Sequence, residues 1–156
     1  MENSKYYTPS LNEFHTGFEY EVYVPEKEIW SKEVFFLNTS HINVIKYVDI
    51  QDENTLERAR VKYLDKEDIE KLGFKDTLLK HDTTAIFKSD YKTSRGQEIG
   101  LLYTYNSNWC LIFAGDFGRT EWEEGKNTYQ VNGNLFAGFV KNKSELKKIL
   151  KMLNIK

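Results

Sequence analysis

A chain of 156 residues, 40% hydrophobic and 29% charged, can bury a sizeable core and folds without disulfide or metal staples. Its single cysteine, Cys110, excludes an internal disulfide; no early apolar run has signal-peptide length, and the longest apolar stretch, 109–115, is far too short to span a bilayer. The formal net charge of −2 hides an asymmetry: residues 1–76 carry 10 Lys/Arg against 16 Asp/Glu (−6), residues 77–156 carry 12 against 8 (+4), a division that argues against a general nucleic-acid binder and suits a protein partner. These features set the expectation of one cytoplasmic domain spanning residues 1–156, with no membrane association. An aromatic content of 15%, with ten Tyr and ten Phe, points to pleated, half-buried surfaces and a β-rich chain.

From Phe14 to Val24 the pattern alternates, with Phe14, Phe18, Tyr20, Val22 and Val24 on one face and Glu13, His15, Gly17, Glu19 and Glu21 on the other. Period two predicts a strand covered on one side. Pro25 ends it, a second strand follows from Ile29 to Leu37, and beyond the turn residues Asn38, Thr39 and Ser40 a third runs from Ile42 to Ile50. A fourth, Glu57 to Leu64, places Ala59, Val61 and Tyr63 inward and Arg58, Arg60 and Lys62 outward.

Asp65 then has the chemistry of an N-cap, and the short helix Lys66 to Leu72 stops at Gly73, where a left-handed residue is wanted. Strands are expected over Thr84 to Tyr91, Glu98 to Tyr105 and Trp109 to Gly115, the last apolar on both faces and so placed in the sheet interior. Asp116 to Asn127 has no periodicity and predicts a long surface loop, and Asn132-Gly133 predicts a hairpin turn between Thr128 to Val131 and Leu135 to Val140. The chain closes with an amphipathic helix from about Ser144 to Asn154, capped by Asn142 or Ser144, with Leu146, Ile149, Leu150 and Leu153 on one face and Lys147, Lys148 and Lys151 opposite. The fold class expected is α+β: mostly antiparallel sheet, one short central helix, and a C-terminal amphipathic helix packed on the sheet.

Three stretches, Tyr6 to Glu21 (YYTPSLNEFHTGFEYE), Arg60 to Phe74 (RVKYLDKEDIEKLGF) and Gly138 to Lys156 (GFVKNKSELKKILKMLNIK), carry a likeness that composition does not. They resemble a family of small phage- and prophage-encoded proteins that share an opening YxTPxxEEFHxGFEYE, a central RVKYLDKEDIExLGF and a closing FxGxIKNKSELKxLLKxLGI. The resemblance covers about a third of the chain. It implies a phage setting inside a host cell, and it supplies no catalytic residues.

The chemistry-bearing positions fall into three groups. Glu13, His15, Glu19 and Glu21 lie in one predicted row, the only place where an imidazole and several carboxylates line up, and they nominate a metal-assisted or acid/base hydrolase. Alternate strand residues stand about 6.6 to 7 Å apart, however, so this row does not converge on one small ion, and pairing of Glu19 and Glu21 with Arg58, Arg60 or Lys62 is the simpler expectation. Lys88, Tyr91, Lys92 and Tyr103, beside Phe87, Arg95 and Tyr105, mix cations with rings in the manner of sheet-based binders of single-stranded RNA or DNA, although burial of the Ile99, Leu101, Tyr103 and Tyr105 face under the last helix competes with that. Phe117, Arg119 and Trp122 among Asp116, Glu121, Glu123 and Glu124 have the composition of a protein-interface hot spot.

His41 and His81 stand without a second histidine at ligand spacing, Asp116-Phe117-Gly118 lacks every other kinase element, and no P-loop, GxGxxG, GxSxG or zinc cysteine pair occurs. No cofactor is expected. The leading expectation is therefore a phage accessory protein that binds a host protein or ribonucleoprotein complex stoichiometrically, as an inhibitor of an RNA-guided CRISPR effector does, using the acidic face of Glu19 and Glu21 or the Phe117 to Glu124 segment. The single-strand binder and the hydrolase centred on His15 are the alternatives.

Overall fold

The computed structural model describes residues 5–36, 59–81, 83–119 and 127–155, and the chain divides into two compact units, Met1–Tyr63 and Leu64–Lys156. The class is α+β: the described residues form two antiparallel sheets, of four and five strands, and two α-helices.

In the first unit β1 (Tyr6–Tyr7), β2 (Glu19–Val24), β3 (Ile29–Val34) and β4 (Ala59–Lys62) form a sheet in the order β1-β4-β2-β3. The predicted strand from Phe14 begins only at Glu19, because a 3-10 turn at Leu11–Glu13 and a turn at Gly17, φ +89°, occupy the preceding residues. The apolar alternation there is real, but it reflects packing: Phe14 lies against Phe18, Tyr20 and Phe35 at centroid distances of 5.0, 5.1 and 5.6 Å. Phe18, Tyr20, Phe35 and Val61 are buried and make this unit's core. Pro25 opens a second 3-10 turn, closed by Glu28 in the left-handed region, and this turn joins β2 to β3. The expected third strand, Ile42 to Ile50, lies outside the described residues, as does His41.

In the second unit β5 (Phe74–His81), β6 (Thr84–Lys92), β7 (Glu98–Thr104), β8 (Trp109–Arg119) and β9 (Asn127–Phe139) pair in simple sequence order. β8 is an interior strand, in keeping with its apolar composition. The short helix α1 (Lys66–Lys71) starts as expected, Asp65 Oδ1 accepting the Asp68 N–H at 3.0 Å, and ends before Gly73 at φ +89°. The terminal helix α2 (Lys143–Met152) is capped by Asn142, whose Oδ1 accepts the Glu145 N–H at 3.0 Å, while Glu145 Oε2 accepts the Lys141 N–H at 2.6 Å. That reciprocal arrangement satisfies donors on either side of the cap.

Leu146, Ile149 and Leu150 of α2 and Ile69 of α1 pack with Ala85, Phe87, Ile99, Leu101, Tyr103, Cys110 and Ile112 in one core. Burying each of the larger side chains contributes about 1.5–3 kcal/mol, which makes this cluster the main stabilising feature of the unit.

In the second unit two predicted features change. Asn132-Gly133 is not a hairpin turn: β9 runs continuously through it, with register slips against β8 between Ile112 and Phe113 and between Ala114 and Gly115. Turn-forming residues serve bulges equally well, since both need local departure from the ladder. The segment Asp116 to Arg119, expected as loop, is the end of β8, paired with Asn127 to Gln130.

Candidate functional site

The outer face of the first sheet is built around Arg60. Register places Glu21 directly opposite Arg60, and the guanidinium Nε donates to Glu21 Oε2 at 2.8 Å. Tyr6 is carried next to it by β1 and Trp30 by β3, so that the guanidinium carbon sits 3.9 Å from the Tyr6 ring centroid and 4.0 Å from that of Trp30. Tyr23, opposite Trp30, lies tilted against its ring at a centroid distance of 5.4 Å. A flat, weakly hydrated cation between two rings and a carboxylate is the arrangement arginine fits and lysine does not.

This site absorbs a charge that the sequence assigned to an acidic surface. Glu21, with 17% of its side chain exposed, is neutralised by Arg60, and Glu19 also has an interaction of its own. The expectation that this row pairs across the sheet is met at Glu21. Tyr6 and Trp30 were not nominated by the sequence, because the three strands that bring them to Arg60 are far apart along the chain and no local pattern encodes their register.

The hydrolase grouping does not assemble. Glu13 closes its own turn: Oε2 accepts the Tyr7 hydroxyl at 2.6 Å, and Oε1 accepts the Ser10 N–H at 3.1 Å and its hydroxyl at 2.9 Å. His15 stands edge-on to Phe18 at 5.7 Å, its Nδ1 3.1 Å from the Thr16 carbonyl oxygen, and its buried Nε2 has no hydrogen-bond partner among the described residues. Among the described residues no group of three or more His, Cys, Asp or Glu side chains has the geometry to hold a metal ion.

The cation and ring row is split between two faces. Tyr103 is fully buried in the second core, its single hydroxyl proton shared between two acceptors, the Val140 carbonyl at 3.0 Å and Asn108 Oδ1 at 3.1 Å, and burial pushes its pKa well above the ordinary tyrosine value. The expectation that it stacks on bases is corrected by that burial. Lys88 is engaged with Glu98 at 2.6 Å. Tyr91 is exposed, its ring against Gly73, and Lys92 is exposed opposite Glu98. Burial also pushes the Tyr105 hydroxyl up to about 12, with Asp76, Asp65 and Glu70 adding to the effect, and the Cys110 thiol up to about 12. Cys110 is thus an inert core thiol.

Of the third group, Glu121, Trp122, Glu123 and Glu124 lie outside the described residues. The backbone around them is informative all the same. The β7 ladder ends where Glu98 meets Gly115, while β8 and β9 continue pairing through Asp116↔Gln130, Phe117↔Tyr129, Gly118↔Thr128 and Arg119↔Asn127. Beyond the sheet the two strands form a two-stranded ribbon among the described residues, and Phe117 and Arg119 belong to it.

The fold and these features define a small antiparallel α+β protein with an internally neutralised arginine cluster and a ribbon extension. Compared with family models, with curated proteins and with solved structures, the chain matches none. No helix of the described residues is long and apolar enough to cross a membrane.

Proposed function

We propose that this is a phage accessory protein that acts by stoichiometric binding to a host protein or ribonucleoprotein complex, an RNA-guided CRISPR effector being the target class, and that the β8–β9 ribbon carries the contact. The observation that supports this reading is the ribbon itself. A two-stranded extension past the parent sheet offers backbone edges to a groove, and the sequence between its strands is acidic and aromatic (Glu121, Trp122, Glu123, Glu124). Acidic residues in the sequence between the two paired strands suit a basic channel built for nucleic acid, and Trp122, Phe117 and Arg119 are the residue types that anchor interfaces.

With Glu21 held by Arg60, the acidic face of β2 is the weaker of the two docking candidates. The test is charge reversal. Glu121, Glu123 and Glu124 changed together to Lys are expected to weaken binding to the target and flatten its salt dependence, while Glu19→Lys leaves both nearly unchanged. Unaltered affinity and salt dependence in the triple variant refute the ribbon as the contact.

A further inference from the structure

The bulge of β5 presents a leucine in a way that the fold itself does not require. Between Asp76, opposite Phe87, and Lys80, opposite Ala85, residues 77–79 face Ile86 alone. At their middle Leu78 takes φ +62° and is 76% exposed, more than any other large hydrophobic residue among those described. Exposure by itself is ordinary, since single apolar side chains are scattered over every protein surface. The backbone is not: a left-handed conformation is strained at a bulky residue, and glycine or asparagine adopts it at less cost.

Two side chains hold the bulge in that shape. Asp76 Oδ1 accepts the Leu78 N–H at 2.8 Å, and Thr77 Oγ1 donates to the Ile86 carbonyl at 2.8 Å. Asp76 is anchored in turn: its side chain is only 5% exposed, and its Oδ2 accepts from Lys66 Nζ of α1 at 2.6 Å. Contacts from the neighbouring strand and helix thus impose the strain, and its result is an apolar side chain set into solvent. Protection of a sheet edge needs a bulge but not a leucine, because a polar residue breaks pairing equally well with less strain.

The charges near Leu78 bear on what it meets. Lys66 is held by Asp76 and Glu70, Lys71 pairs with Glu67, and Lys75 pairs with Asp90, so the cations of α1 and of β5 ahead of the bulge are neutralised within the chain. A membrane surface or a nucleic acid is drawn by unpaired cations, and one leucine offers too little apolar area to hold a bilayer. A single fixed apolar anchor among paired charges fits an apolar pocket of another protein, the polar surroundings shielding the contact from water.

We infer that Leu78 is a docking anchor, held outward by the strained β5 bulge to enter an apolar pocket of a partner protein. The inference rests on the reading that the chain binds a protein component of a host complex, and it adds a contact at the other edge of the sheet from β9. Tagged wild type and Leu78→Asn are passed through nuclease-treated host lysate, the recovered partner is identified by mass spectrometry and titrated against each chain, and both chains are melted. Leu78→Asn is expected to melt no lower than wild type and to bind the partner about tenfold or more weakly. Leu78→Ala, which removes the anchor without relieving the backbone, is expected to lose binding equally, while Leu78→Met, apolar and of similar volume, keeps it.

A Leu78→Asn chain that melts lower shows that the leucine serves the fold, and overturns the inference. A partner held equally by wild type, Leu78→Asn and Leu78→Ala overturns it and leaves the proposed function standing, whereas a wild type that recovers no partner overturns both. Binding to anionic lipid vesicles, or self-association in sedimentation, that depends on Leu78 assigns the anchor to a lipid surface or a second copy and overturns the choice of a partner protein.

Discussion

Replacing Arg60 by Ala removes three interactions at once, and the structure sets the size of the effect. Two ring contacts at 3.9 and 4.0 Å contribute about 0.5–1 kcal/mol each at partly exposed sites. The ion pair to Glu21, with side chains 28% and 17% exposed, adds about 1 kcal/mol. Arg60→Ala should therefore destabilise the first unit by about 2–3 kcal/mol. Arg60→Lys keeps a charge beside Glu21 but loses the flat stack, and should recover less than half of that. The assay is urea denaturation followed by tryptophan fluorescence, with Trp30 in the cluster as reporter, at low and at high salt. Salt should diminish only the ion-pair part of the difference, because the ring contacts are short-ranged. An Arg60→Ala chain within about 0.5 kcal/mol of wild type, or an Arg60→Lys chain indistinguishable from it, refutes the reasoning.

Asn142→Ala should cost about 1–2 kcal/mol, as the cap is buried and the Glu145 N–H loses its acceptor; thermal denaturation checks it, and a loss confined to a few tenths contradicts the capping role. Gly73→Ala should destabilise by about 1 kcal/mol or more, because a left-handed φ is combined with a contact of 3.2 Å to the Tyr91 ring, and Tyr91→Ala should relieve the steric part. Cys110 titrates near 12 in the folded chain against 9.0 ordinarily, so the folded state holds its proton where the unfolded state has lost it. Its stabilising effect is complete below about pH 9 and is lost as pH rises toward 12; melting temperature should fall over that window, less steeply in Cys110→Ala, and the native thiol should resist modification at pH 8 until the chain is unfolded.

Much of the second unit was legible because its residues obey one rule each. Asp65 and Gly73 bracket α1, Asn142 and the leucine spacing define α2, and the apolar run of β8 marks an interior strand. β5 was missed because the bulge at Leu78 breaks period two in the middle of the strand. Asn132-Gly133 misled because a bulge and a hairpin draw on the same residue types, and only pairing with β8 tells them apart. In the first unit, the apolar alternation from Phe14 to Phe18 matched a strand although it serves a turn that folds onto the core. The Arg60 cluster was half legible: the cross-strand pair with Glu21 follows from alternation, whereas Tyr6 and Trp30 depend on strand order, which no single strand specifies.

Stoichiometric protein binding is tested most directly by purifying the tagged chain from host lysate, with and without nuclease, and weighing the recovered complex by native mass spectrometry. The account predicts a defined protein or ribonucleoprotein partner, in fixed ratio to this chain, whose protein component stays bound after nuclease treatment. Partners lost entirely on nuclease treatment, or none in either preparation, would contradict it.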